Sequence, residues 1–328
     1  MSRAAIAAIA HHLPDQRLTN ELLAAEFPEW GAEKIAEKTG IQTRHIAAEG
    51  ELSSDLAAAA AKKLFATGVV RAEDIDFVLL CTQTPDFALP TTACLLQHRL
   101  GIPTTAGALD FNLGCSGYVY GLSLAKGLIE TGQADRVLLL TAETYSKLLD
   151  PADKTVRTIF GDAGAATLVV ADPRVENEYI GPFAFGTNGE GGPNLVCHLR
   201  GFRGATAEAT GRDGLWMNGP EIFNFTLKVV PDVVQRLLTK AGLKQRDVDL
   251  FVFHQANRYM LEHLRKKLGV YPEKFVVAME HSGNTVSCTI PIALREAQSA
   301  GQLRPGARVM LVGFGVGYSW GAVMLRWL

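Results

Sequence analysis

RAEDIDFVLLCT (residues 71–82) comes back as KQRDVDLFVFHQ (residues 244–255). Both open on charged residues, place an aspartate (Asp76, Asp249) after an aliphatic residue (Ile75, Val248), and run into an apolar strand candidate. A second pair follows at matching distance. RVLLLTAE (136–143) resembles RVMLVGFG (308–315), with Arg136 60 residues after Asp76 and Arg308 59 residues after Asp249. Solenoid repeats recur every roughly 20–50 residues, so this period is not one of theirs. The spacing predicts two copies of one α/β unit, residues 1–175 and 176–328. Apolar strands resemble one another by chance, and coincidence is the competing explanation.

Strand and helix candidates alternate around these anchors. Strands are expected at 75–82, 106–112, 136–142 and 165–171, and helices at 92–101 and 116–131. KFVVAM (274–279) reads as a further strand, and the opening Ala/Ile run as a buried first strand and turn. Nearly unbroken apolar strands suit sheets covered on both faces, and the alternation predicts an α/β sandwich. Residues 183–216 break the pattern. TNGEGGPN and GFRGATAEATGRDG are rich in Gly and polar residues and read as loops, where function often sits.

Composition narrows the class. A chain of 328 residues, 48% hydrophobic and 20% charged, can bury a large core without disulfides or metals. The net charge of -2 gives no support to a polybasic nucleic-acid or membrane surface. The first fifteen residues are too short and too polar at their end for a signal segment, and no apolar run reaches 18 residues. Five cysteines, an odd number without CxxC or Cys/His ligand spacing, argue against a disulfide framework or a zinc site. A cytoplasmic protein with reduced thiols and no metal is expected.

Cys115 is the sharpest single signal. In DFNLGCSGYVYGLSLA (110–125) a strand ends, a Gly-Cys-Ser-Gly turn follows and a helix begins. A thiol at a helix N-terminus meets unpaired N–H groups and the positive end of the dipole, which favour thiolate. A buried packing cysteine is the alternative. Cys81, Cys94, Cys197 and Cys288 lack that setting and read as small hydrophobes. His254 closes the second-half strand, where α/β folds gather ligands; a satisfied core histidine competes. Asn284 lies in MEHSGNTVSCTIPIAL, 35 residues after Asp249, much as Cys115 lies 39 after Asp76. The repeat would bring both turns to one centre, against the plainer reading of a Gly-Asn-Thr turn. VGFGVGYSWG (312–321) does not follow a first strand as a dinucleotide fingerprint does. Its glycines suit a backbone passing close to a ligand, with an amide aimed at a developing oxyanion.

Taken in order, TGIQTRHIA (39–47), the Cys115 turn, IFGDAGAA (159–166), MNGPEIF (217–223), HQAN (254–257), HSGNT (281–285), PIAL (291–294) and GFGVGYSWG (313–321) span the chain. The ensemble resembles the thiolase-fold condensing enzymes, most nearly the β-ketoacyl-acyl carrier protein synthase III family. The resemblance implies two pseudo-symmetric halves in a five-layered α/β/α/β/α arrangement, a homodimer, and a place in fatty-acid or specialised acyl or polyketide biosynthesis. It implies Cys115 as nucleophile, His254 and Asn284 as the decarboxylation pair, and the amides of Cys115 and Val316 as oxyanion hole. Gly219, Phe223, Ala256 and Asn257 would line the pantetheine tunnel. The family's Trp and Arg that sandwich the adenine of coenzyme A fall at Lys34 and Lys154, with Trp30 nearby but out of register. The phenylalanine that crosses the dimer to close the acyl pocket falls at Leu89.

The chemistry so implied is acyl transfer to Cys115 and then attack by an enolate freed by decarboxylation of a malonyl thioester. No cofactor is expected, since acyl-CoA and the malonyl thioester are substrates. An acyl carrier protein is the expected partner, docking on Arg258, Arg265, Lys266 and Lys267 around the helix after His254; an ordinary solvated helix face is the alternative. Two other functions compete. One is a thiolase-fold acyltransferase that passes the acyl group to a non-malonyl acceptor. The other is a non-catalytic partner subunit, against which the retained Cys115 argues.

Overall fold

Asp76 and Asp249 do the same work in both halves. The Asp76 carboxylate accepts the Asp135 and Arg136 N–H groups at 2.9 and 2.8 Å, and its own N–H donates to the Arg136 carbonyl at 3.0 Å. The Asp249 carboxylate accepts the Arg308 N–H at 2.8 Å, and its N–H donates to the Arg308 carbonyl at 2.9 Å. Each aspartate thereby fixes the register of the strand that follows it against the strand some sixty residues on. Residue 77 pairs with 137 and residue 250 with 309.

The computed structural model describes residues 2–173, 178–198 and 214–328. The chain begins with β1 (Arg3–His12), β2 (Gln16–Thr19), α1 (Asn20–Glu26), α2 (Ala32–Thr39), β3 (Thr43–Ile46) and α3 (Ser53–Phe65). Next come β4 (Phe77–Cys81), α4 (Thr92–Arg99), β5 (Gly107–Phe111), α5 (Gly117–Glu130), β6 (Arg136–Glu143), α6 (Lys154–Arg157) and β7 (Ala163–Asp172). The remainder forms β8 (Ile180–Thr187), β9 (Leu195–Cys197), β10 (Leu215–Met217), α7 (Gly219–Ala241), β11 (Leu250–Phe253), α8 (Arg258–Leu268), α9 (Thr289–Ser299), β12 (Arg308–Gly315) and β13 (Ser319–Arg326).

The first sheet runs β1-β7-β6-β4-β5 and the second β8-β13-β12-β11. β4 is parallel to β5 and β6, as β11 is to β12; β7 and β13 return antiparallel in equivalent places. α3 and α4 cover one face of the first sheet, and α7 with α8 cover the outer face of the second. α5 packs on strands of both sheets, and α9 touches β1, β7 and β11, so these two helices form the middle layer. The order is α/β/α/β/α, a thiolase-like fold. α5 approaches closely because Gly121 has no side chain; a Cβ there would lie 2.6 Å from Leu139 of β6.

Two expectations need correction. KFVVAM is not a ladder strand: it occupies the place β5 holds in the first half but makes only an isolated bridge, Phe275 to Phe251. The region read as loops contains β8, a full neighbour of β13, and the β9–β10 ribbon. Most of GFRGATAEATGRDG, and the boundary at 175/176, lie outside the described residues. Cys81 and Cys288 are buried as expected of small hydrophobes, whereas Cys94 is exposed and Cys197 half-buried.

Candidate active site

The Cys115 turn is held from three sides. Cys115 lies two residues ahead of α5, as its sequence setting suggests. The Ser116 hydroxyl meets that of Ser319 at 2.5 Å, pinning the turn to the start of β13. Gly313 and Gly315 of β12 give it room: a Cβ on Gly313 would lie 2.8 Å from the Cys115 carbonyl oxygen, and one on Gly315 2.8 Å from Cys115 Cβ. These glycines therefore admit the cysteine turn itself, where the sequence suggested a ligand. Burial, and then the Glu143 charge, push the thiol up to about 12. Desolvation here acts against the helix terminus, which favours thiolate.

Asn284 is placed by the first half of the molecule. Its N–H donates to the Ile159 carbonyl at 2.9 Å, and its carbonyl accepts the Gly161 N–H at 3.1 Å. The IFGD loop is itself anchored, since Asp162 accepts from the Ala47 N–H and from Ser146. The fully buried Arg44 donates to the Thr158 carbonyl and to Asn20. The Asn284 side chain is oriented by its own turn: Oδ1 accepts the Val286 N–H at 2.9 Å. Val286 holds a positive φ of 56°, a strained conformation for a β-branched residue. With Oδ1 engaged, the amide's donor edge is the one left for a ligand.

His254 follows β11 and is buried, 2% exposed. Burial holds its imidazole neutral, with a pKa lowered to about 3. Nδ1 faces the Thr289 hydroxyl at 2.8 Å, and Phe314 packs edge-on against the ring at 5.4 Å. Cys115, His254 and Asn284 all line one cavity of about 510 Å³. Ala256, Asn257 and Gly219 line it too, as do Phe314 and Gly315. Asn257 also caps α8 through the Met260 N–H.

Other expected site residues lie elsewhere. Phe223 does not line the cavity; it packs against Tyr259 and His263. Leu89 is 83% exposed and stands outside it. Lys154 pairs with Glu29 at 2.5 Å, beside Thr155 of the cavity wall. Trp30, one helical turn out of register in sequence, is in fact close in space: the ammonium groups of Lys34, Lys38 and Lys154 lie 5.5, 5.5 and 5.7 Å from its ring. A flat aromatic face is therefore present where the register had suggested lysines alone. Val316 faces a second cavity of about 540 Å³, lined also by Gln83, Phe87, Tyr145 and Cys197. On α8, Arg258 pairs with Glu280 but stays half exposed, while Arg265 is tied to Glu262 and the Val270 carbonyl and is mostly covered. Lys266 is exposed.

Sequence reasoning missed Glu143, which is fully buried. Its carboxyl accepts the Gln83 N–H and the Thr84 and Ser287 hydroxyls, tying the end of β6 to the turn after Asn284. Burial raises it to about 8.

Residues 238–327 match the family described as 3-oxoacyl-[acyl-carrier-protein (ACP)] synthase III C terminal, and residues 109–189 match 3-oxoacyl-[acyl-carrier-protein (ACP)] synthase III. A protein of Halalkalibacterium halodurans named beta-ketoacyl-[acyl-carrier-protein] synthase III 2 is 37% identical over 327 residues, covering 100% of this chain and 97% of its own. This chain belongs to the 3-oxoacyl-acyl-carrier-protein synthase III family. A crystal structure titled 3-oxoacyl-(acyl-carrier-protein) synthase III is 56% identical, with a TM-score of 0.97 over 99% of this chain and 100% of that one. The priming β-ketosynthase from the R1128 polyketide biosynthetic pathway is 26% identical, with a TM-score of 0.89 over 99% of this chain and 96% of that one. As a synthase III relative, the chain is a condensing acyltransferase.

Proposed function

We propose that Cys115, His254 and Asn284 carry out both halves of a decarboxylative condensation. The carrying observation is that the three side chains, drawn from different elements, converge on one cavity. In the first half, Cys115 sulfur bonds to the acyl carbon of a primer thioester, the carrier's C–S bond breaks, and the thiol proton ends on the departing pantetheine sulfur. The amides of Cys115 and Val316 would hold the tetrahedral oxyanion. In the second half a malonyl thioester loses carbon dioxide. The resulting enolate oxygen takes hydrogen bonds from His254 and from the Asn284 amide, and its carbon attacks the acyl-cysteine. Cys115 leaves as thiolate, and the product is a β-ketoacyl thioester. A neutral imidazole and an amide suit this step, which needs donors and no base. The chemistry runs without a metal or redox cofactor.

The primer acyl chain is assigned to the cavity beyond Val316, whose volume of about 540 Å³ far exceeds an acetyl group. Coenzyme A, when it delivers the primer, is gripped beside Trp30, Lys34 and Lys154. Acyl carrier protein docks by way of Arg258 and Lys266. The protein acts as a homodimer. Among the described residues β5 is an edge strand paired only with β4, and Phe87, Leu89, Leu95 and Leu109 near it are exposed apolar side chains. No described helix is long and apolar enough to cross a membrane; a cytoplasmic place in fatty-acid synthesis or a specialised acyl pathway fits this reading. Exposing the protein to acyl-CoA and acyl-carrier thioesters of increasing length, and weighing the intact chain, tests it. Mass gain on Cys115 with acyl groups longer than acetyl is expected; strict acetyl selectivity overturns the primer assignment.

A further inference from the structure

His254 can donate to an enolate oxygen only if its neutral ring carries the proton on Nε2, the nitrogen not engaged with Thr289. That in turn requires Nδ1 to accept a hydrogen bond. The Thr289 hydroxyl stands 2.8 Å from Nδ1 and 3.0 Å from the Val286 carbonyl, and it has one proton to give. The carbonyl does not depend on it, because it already receives the Thr289 backbone N–H. Phe314, packed edge-on against the ring, offers no conventional donor or acceptor. A hydroxyl turned to Nδ1 therefore leaves the carbonyl satisfied and fixes the ring's proton on the far side.

We propose that Thr289 is a positioning residue that holds His254 as the Nε2–H tautomer, ready to donate to the enolate oxygen. The inference rests on the condensing assignment. Its geometry joins the two donors: Val286 N–H aims the Asn284 amide, and Thr289, three residues on, aims the imidazole. One short turn, Val286–Thr289, therefore sets both sides of the enolate site. Thr289 does not itself line the cavity and reaches it only through the His254 ring. Its loss should spare acyl transfer to Cys115.

The test compares the parent with Thr289→Val, which keeps the shape and removes the hydroxyl, and Thr289→Ser, which restores it. Acylation of Cys115 is followed by intact mass, and decarboxylation by carbon dioxide release from a malonyl thioester. Thr289→Val should acylate within about twofold of the parent and decarboxylate at least tenfold more slowly, as expected when a positioned donor is lost. Thr289→Ser should recover most of that loss. In parallel, nitrogen-15 spectra of the ring in the parent, assigned by difference from His254→Gln, should show the proton on Nε2. A proton on Nδ1 overturns the proposal whether or not any variant folds. So does decarboxylation by Thr289→Val at the parent rate, or an equal loss of both half-reactions. A parent that acylates and shows Nε2–H, yet never decarboxylates a malonyl thioester, upholds the tautomer and refutes the condensing assignment instead.

Discussion

Gly315→Ala places one methyl group directly against the Cys115 side chain. Gly315 has an ordinary backbone conformation, so the substitution brings no dihedral strain and acts through contact alone. The new Cβ would sit 2.8 Å from Cys115 Cβ and 3.0 Å from its Sγ. Carbon atoms settle at about 3.5–4.0 Å, so the thiol-bearing carbon must retreat by roughly 0.7–1.2 Å. A misplacement of about 1 Å in a reacting group costs on the order of 10²-fold in rate. Overpacking costs about 1–3 kcal/mol in stability, which leaves a domain of this size folded. The expected outcome is a folded protein whose Cys115 acylates about a hundredfold more slowly. Intact-mass time courses after acyl-CoA addition give the rate, and urea unfolding gives the stability. Gly127→Ala is the control: it lies in α5 with nothing within 4 Å of the added Cβ. It should acylate normally and gain up to about 1 kcal/mol. If Gly315→Ala acylates within twofold of the parent, the geometry argued for the nucleophile is wrong.

Other outcomes follow from the same site. His254→Ala and Asn284→Ala should still accept an acyl group on Cys115 but release carbon dioxide from a malonyl thioester about 10²–10³ more slowly, and the double variant should lose little more; parent-rate release in the single variants sinks their assignment. Coenzyme A affinity, read by isothermal titration, should fall on Trp30→Ala and lose part of its salt sensitivity on Lys154→Ala, while a salt-insensitive parent would contradict phosphate gripping by lysines. Stability should also carry the buried groups' signatures. Glu143, raised from 4.5 to about 8, binds its proton more tightly when folded, so its contribution is full below pH 4.5 and is lost as pH rises towards 8. His254 and His11, lowered from 6.5 to about 3 and about 4 by burial, contribute above pH 6.5 and lose that contribution as pH falls. Between pH 6.5 and 8 the Glu143 slope is up to about 1.4 kcal/mol per pH unit, and Glu143→Gln should flatten it in urea-unfolding series; an unchanged slope would locate the effect elsewhere.

The parts of the fold legible in sequence are those written in single stretches. β4, β6, β11 and β12 are apolar runs opened by an aspartate or arginine, and their spacing encodes the two-fold repeat. β8 was not legible because glycine and proline interrupt it; Gly181, Pro182 and Gly186 imitate a loop, and only its pairing with β13 makes it a strand. KFVVAM shows the reverse, an apolar segment that packs into the core without a ladder. In the site, Cys115, His254 and Asn284 are marked by their turns. What surrounds them is not. Ser116 meets Ser319 across 203 positions, and Glu143 meets Ser287 across 144. Polar residues satisfied at such separations carry no local pattern. The cysteine's environment is half visible for a related reason: a helix N-terminus can be read in sequence, and the burial that raises the thiol cannot.

In the proposed condensation one cysteine holds the acyl group which a decarboxylating malonyl thioester then removes. Protein acylated on Cys115 and freed of excess primer, then given malonyl-acyl carrier protein, puts both halves into one measurement. The acyl mass should leave Cys115 as one carbon dioxide and one β-ketoacyl carrier appear per acyl group lost. An acyl-enzyme that persists through that exposure, on acyl carrier protein and on coenzyme A alike, but discharges to an alcohol, amine or other thiol would contradict it.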